Sequence, residues 1–429
     1  MRPARAGSTC RVSPREPVGR RTPAVSRLLV RDLAQVATPA GATAPLRGAA
    51  LREVDVVEDA YVLVHDGTIE AVGRMGDLGS LGEEVEELDG RGLSAIPGLV
   101  DCHTHPAFAG DRANEFALRA RGATYEELLA AGGGILSTTR ATRAAGDAAL
   151  VEIVARHRDA MLAHGTTTFE GKSGYGLDRD TELAQLEAVR EAGGVPTWLG
   201  AHAVPPEHPD ADAYVDWAVG HVLRDAARIA VAADVFVERG TFDVEQARRY
   251  LLACREAGLV LRIHGDQLSE IGAVPLAIEL GARSIDHLEA TGPEGVAALA
   301  SSDIVGVLLP VAALYLGRPM PPGRALVDAG AAIALATDFN PGSAFCESLP
   351  VVCTLACTQL RLTPEEALAA CTVNAAHVLG LADRGRIAAG HRADLVLLDA
   401  PDWRHLAYHL AGDVVRTVIR DGRVVHSRA

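Results

Sequence analysis

An α/β architecture, a (β/α)8 barrel carrying a small β-sandwich unit built from both chain ends, is what this sequence predicts, and three observations predict it. Eight short apolar runs mark the middle of the chain, at 94–100, 166–169, 196–200, 233–237, 259–263, 284–285, 304–309 and 332–336. Helical stretches at 147–163, 180–192, 244–257 and 364–379 lie between or after them, the alternation expected of a parallel barrel. Near each end, β-type segments flank an Asp-Gly pair, a strong two-residue hairpin signal.

Taken in order, the elements sort into three parts. The first 25 residues hold six Arg and one Glu and lack the apolar segment of a secretory signal, so 1–26 reads as a disordered Arg-rich extension or an artefact of the chosen start codon. Residues 61–64 and 68–72 flank Asp66-Gly67, and 414–419 and 423–426 flank Asp421-Gly422 in the same manner, with 393–398 as a further strand. These pieces assign 27–94 and 384–429 to the small β unit and 95–383 to the barrel.

Composition bounds the function. Of 429 residues, 48% are hydrophobic, which suits a folded protein with a large core rather than a disordered one. The net charge of -15 opposes nucleic-acid binding, which needs a basic face. The longest uncharged apolar stretch, 304–317, has 14 residues and contains Pro310, short of the roughly 20 that a membrane helix needs. Seven cysteines, an odd number without a Cys-x-x-Cys pair, read as reduced thiols of a cytoplasmic protein. Of 41 basic residues only Lys172 is a lysine, which marks a place that needs a compact ammonium.

A barrel places its active site at the C-terminal ends of its strands. The first run ends in Asp101-Cys102-His103-Thr104-His105, where alternation turns His103 and His105 to one side. The third ends in His202, the fifth in His264, the sixth in Asp286-His287, and the eighth in Thr337-Asp338. Each alone has a plain structural reading, such as a helix cap for the aspartate. Together they place metal-binding side chains at one barrel face. His103, His105, His264 and Asp338 form a ligand set for one zinc or iron ion (Zn2+ or Fe3+) per chain, with a position left for water. Asp338 and His287 are the candidates to move the proton of that water.

The Pro97-Gly98-Leu99-Val100-Asp101-x-His-x-His string, with the later strand-end His and Asp, resembles the amidohydrolase superfamily. Three longer segments resemble its imidazolonepropionase family: 131–143 (A-G-G-G-I-L-S-T-T-R-A-T-R), Lys172-Ser173-Gly174-Tyr175-Gly176-Leu177, and Ala336-Thr337-Asp338-Phe339-Asn340-Pro341-Gly342-Ser343. The resemblance covers about residues 28–425. It implies a hydrolase that opens the ring amide of 4-imidazolone-5-propanoate to N-formimidoyl-L-glutamate in histidine degradation. By the same resemblance Arg112 binds the propionate, Tyr175 and His202 contact substrate and product, and Asn340, Gly342 and Ser343 form the loop that holds them. A homodimer is common in the family.

One departure stands out. Many relatives carry an acid three residues after the fifth-strand His, where this chain has Gln267. An amide orients a ring but moves no proton, so acid–base work passes to Asp338 and His287. The other open point is Lys172, which could be a carboxylated bridge between two metals, as in dihydroorotase-like enzymes. Its place in the Lys-Ser-Gly-Tyr-Gly segment favours a supporting role beside one metal. Another amidohydrolase chemistry and a non-catalytic barrel relative are the remaining alternatives. Arg112 counts against the first, and the complete ligand set against the second.

Overall fold

The computed structural model describes residues 27–41, 43–81, 85–123 and 133–428. The Arg-rich extension, Cys10 and the start of the 131–143 segment lie outside them. Two eight-stranded sheets organise the chain.

The first sheet collects both chain ends. Strand β1 (Arg27–Pro39) pairs antiparallel with β2 (Val54–His65), which turns through Asp66-Gly67 into β3 (Thr68–Arg74). Both turn residues have positive φ, 47° and 76°, the geometry a two-residue hairpin requires. On its other side β1 pairs parallel with β4 (Glu86–Asp89) along its first half and with β5 (Ser94–Pro97) along its second. Strand β14 (Leu395–Leu398) joins antiparallel to β5, and β15 (Val415–Arg420) and β16 (Arg423–Ser427) complete the edge through Asp421-Gly422. The β unit is thus one continuous sheet, and Val30, Val62, Val64, Leu395, Leu397 and Ile419 form its own apolar core.

The second sheet is the barrel. Its strands are β6 (Leu99–Asp101), β7 (Thr166–Lys172), β8 (Val195–Ala201), β9 (Ala232–Val237), β10 (Val260–Gly265), β11 (Ser284–His287), β12 (Val305–Leu308) and β13 (Ala332–Leu335). All neighbours along this path are parallel. The strands are almost wholly buried because helices cover their outer face. Several helices start where a side chain caps them: Asp178 accepts from Thr181 N, and Asp243 and Thr363 form reciprocal capping boxes with Gln246 and Glu366.

The seam between the last and first strands closes beyond their ends, through the segments that carry His103, His105 and Asp338. Asp338 N donates to His103 O at 3.1 Å, and His105 N donates to Phe339 O at 2.8 Å. Below them Thr337 Oγ1 donates to Asp101 Oδ2 at 2.6 Å.

Two expectations are corrected, and one strand went unread. The run 94–100 is two strands in two sheets, broken at Gly98. A Cβ there would lie 2.3 Å from Thr167 Oγ1 and 2.9 Å from Asp394 Cβ, so only glycine passes through this corner. The boundary expected at 94/95 therefore falls inside β5, and we propose Gly98 as the division. The helix expected over 364–379 is two, Pro364–Ala370 and Val373–Leu379, separated where Thr372 adopts φ -128°, ψ -90°. The long first strand β1 carries a bulge between Val30 and Leu33, with Asp32 at φ 57°, which breaks the alternation that would have announced it. Among the described residues no helix is long and apolar enough to cross a membrane, and all six cysteines there are free.

Candidate active site

The strand ends bring the predicted ligands to one point. His103 Nε2 and His105 Nε2 lie 3.3 Å apart, and His264 Nε2 lies 3.4 Å from His105 Nε2. Asp338 Oδ1 lies 3.4 Å from both His103 Nε2 and His105 Nε2. All four side chains are buried. Four donors arranged tetrahedrally at zinc–nitrogen distances stand roughly 3.3 Å from one another, which is the spacing found among His103, His105 and Asp338 and between His105 and His264. His103, His264 and His287 form a second compact donor group, which puts His287 beside the same point.

The imidazoles are oriented from behind. His103 Nδ1 lies 2.6 Å from Asp286 Oδ2, and His264 Nδ1 lies 3.0 Å from Asp234 Oδ1. The Asp286 carboxylate on His103 Nδ1 holds the proton there and leaves Nε2 free to bind an ion, while His264 Nδ1 lies beside Asp234 without a formed hydrogen bond. Burial pushes His103 down to about 3 and lowers His105 and His264 as well, which keeps them neutral. Burial opposes the charge of Asp338, yet its close contacts with His103 and His105 and the charge of His287 hold it well below the usual carboxylate range. Burial also opposes a charge on His287, but Glu289, 3.4 Å from its Nδ1, raises it to about 9.

Above the donors is a cavity of about 320 Å³, at the small end of ligand sites. Arg112, Tyr175, His202, Gln267, Asn340, Gly342 and Ser343 all line it, as do His287 and Asp338, while His103 is not among its lining residues. His202 uses Nδ1 on Gly174 O at 2.9 Å, which leaves its Nε2 available, and its ring stacks on His105 at 5.6 Å between centroids. Tyr175 sits in the loop after β7, whose Gly174, Gly176 and Leu177 amides all donate to the buried Glu182.

The geometry gives two residues a different task from the one expected. Arg112 donates Nε to Glu115 Oε2 at 2.8 Å and Nη2 to Glu115 Oε1 at 2.5 Å, so the side edge of its fork is already occupied. Its Nη1 faces Gly342, where a Cβ would stand only 2.1 Å away. Asn340 uses its amide within its own loop: Oδ1 accepts from Gly342 N and Ser343 N, both at 2.8 Å, and Nδ2 donates to Asp338 O at 2.6 Å. It shapes the loop and seats Asp338.

Sequence reasoning missed Glu115, Arg119 and the carboxylates behind the ligands. Arg112, the N-cap, and Glu115 and Arg119 within the helix Ala113–Ala120 stand at i, i+3 and i+7, one helical face. That spacing was the available signal. Arg119 Nη2 donates to Gly342 O at 2.9 Å, and its guanidinium lies over Tyr315. Lys172 is fully buried and lies outside the cavity lining, held by Glu170 and Asp234 at 2.8 and 2.7 Å.

A sequence profile of the Amidohydrolase family matches residues 110–426. The chain is 58% identical over 405 residues to an imidazolonepropionase of Rubrobacter xylanophilus, covering 92% of this chain and 97% of that protein. It is 46% identical over 404 residues to the imidazolonepropionase of Deinococcus radiodurans, covering 93% and 99%. Solved structures share the fold at low identity. Triazine hydrolase from Arthobacter aurescens has a TM-score of 0.70 at 19% identity, covering 94% and 95% of the two chains. E. coli guanine deaminase has a TM-score of 0.72 at 16% identity, covering 94% and 100%. The chain belongs to the amidohydrolases and, within them, to the imidazolonepropionase family.

Proposed function

We propose that His103, His105, His264 and Asp338 hold one metal ion in this hydrolase, and that the side chains around the cavity use it to open a cyclic amide. The reaction is hydrolysis of the ring C–N bond of 4-imidazolone-5-propanoate to N-formimidoyl-L-glutamate, in histidine degradation. One observation carries the assignment of residues: four buried donors, each 3.3–3.4 Å from His105 or His103, beneath a cavity lined by the cation Arg112.

A bound zinc or iron ion, either of which suits three imidazoles and a carboxylate, supplies the Lewis acidity that activates water and polarises the ring carbonyl. Asp338 Oδ1 faces the histidines, leaving Oδ2, 3.4 Å from Ser343 Oγ, to take the proton of the attacking water. His287 passes a proton to the ring nitrogen as the C–N bond breaks, so the elements of water divide between the carbonyl carbon and that nitrogen. Arg112 holds the propionate through the donors that Glu115 leaves free. Tyr175, His202 and Gln267 fix the ring, and Gln267 does so by hydrogen bonding alone. The cysteine usage supports a reducing, cytoplasmic setting.

The test is turnover of 4-imidazolone-5-propanoate by purified protein, with the metal content of the same sample measured. Loss of the imidazolone absorbance with about one metal per chain is expected. Two metals per chain would overturn the single-ion assignment.

A further inference from the structure

The carboxylates that orient the ligand histidines converge on the only lysine of the chain. Lys172 Nζ lies 2.7 Å from Asp234 Oδ2, 2.8 Å from Glu170 Oε2 and 3.8 Å from Asp286 Oδ2. All four side chains are wholly buried. Asp234 turns its other oxygen, Oδ1, to His264 Nδ1, while Asp286 Oδ2 is also the oxygen that meets His103 Nδ1. Glu170 is fixed in turn by Arg262 and by Thr197 Oγ1. The backbone of Lys172 belongs to the same frame, since its N–H donates to Thr104 O, between His103 and His105.

We propose that Lys172 is a positioning residue, a single ammonium that braces Asp234 and Asp286 and through them sets the rings of His264 and His103 toward the ion. The inference rests on the reading of those histidines as ligands. The chemistry accounts for the choice of lysine in a chain that otherwise uses arginine. An ammonium is a compact charge with three rotatable donors and can address carboxylates that approach from different directions. A guanidinium is a larger planar fork, and Arg262 already occupies the space beside Glu170. The same contacts set aside the bridging role considered from sequence. The Lys172 nitrogen is surrounded by anions behind the histidines, and a carbamate there would add a negative charge to three carboxylates.

The test is Lys172→Met, which keeps the stem and removes the charge. Zinc affinity is read by competition with a chromophoric chelator, and ligand geometry by the visible spectrum of the cobalt-substituted protein. Because the variant leaves buried carboxylates unbalanced and can fail to fold, Glu170→Gln/Lys172→Met is made beside it and judged by the same readings. We expect zinc binding weakened by about 10- to 100-fold, the range typical of lost outer-shell partners, together with altered cobalt bands. A merely structural lysine would lower stability without moving the cobalt spectrum. A folded variant that binds zinc within about threefold of the wild type, well under that range, with unchanged cobalt bands, overturns the proposal. Wild-type protein that takes up no metal would instead overturn the ligand assignment itself.

Discussion

Glu115 occupies the Nε–Nη2 edge of Arg112, and Gly342 lies against the remaining Nη1. The cation of the cavity is thus held between an anion and a residue without a side chain. Arg112→Ala should raise KM roughly 10- to 100-fold with little change in kcat, because it removes a charged hydrogen bond to a part of the substrate that does not react. Gly342→Ala should do the same by displacing the guanidinium. Steady-state kinetics check both, and an unchanged KM in Arg112→Ala would remove the propionate assignment.

Removal of a ligand should differ in kind. His264→Ala should lose both its metal, measured by elemental analysis, and its activity. Chelator-treated wild type should regain activity when zinc or iron is restored, and the variant should not. A variant that keeps a full complement of metal would show that His264 is not a ligand.

His287 stands close enough to the donors to be a ligand or a proton carrier, and the two roles separate cleanly. As a proton carrier, His287→Asn should retain its metal while kcat falls by about 10²- to 10⁴-fold. Loss of metal from the variant would make it a ligand instead.

The Glu182 carboxyl beneath the Tyr175 loop gives a pH signature. Burial raises it to about 7 against the three backbone amides that hold it, from an ordinary value of 4.5. The folded state then binds more protons than the unfolded state between those values. Its contribution to stability is fully present below pH 4.5 and is lost as the pH rises through 7, a change on the order of 3 kcal/mol. Glu182→Gln should therefore gain thermal stability relative to the wild type between pH 5 and pH 8. An unchanged difference in Tm across that interval would show that the carboxyl is not raised.

The sequence displayed the barrel because its strands are buried on both faces and appear as uninterrupted apolar runs, each followed by a polar side chain at the chemical end. It could not show that residues 94–100 divide between two sheets, since apolarity is equally good in either and the reason for the break, the crowding at Gly98, is a matter of distant neighbours. The proposed metal ligands were legible from their positions after the strands. The role of the carboxylates behind them was not, because Asp234 interrupts an apolar run and Glu170 and Asp286 follow theirs as isolated charges, and only the closed barrel brings them to Lys172. Asn340 was legible as a site residue but not as one whose amide is used within its own loop.

Gly98 joins β5 of the terminal sheet directly to β6, which leads into His103 and His105. The antiparallel partner of β5 is β14, close to the C-terminus. On the ribosome, the strand that anchors the first two histidines is made early, and its neighbour emerges among the last segments of the chain. The histidine pair therefore acquires its final anchorage only as synthesis ends, so a message truncated after the barrel would yield a chain with every proposed ligand and with β5 paired on one side only, to β1.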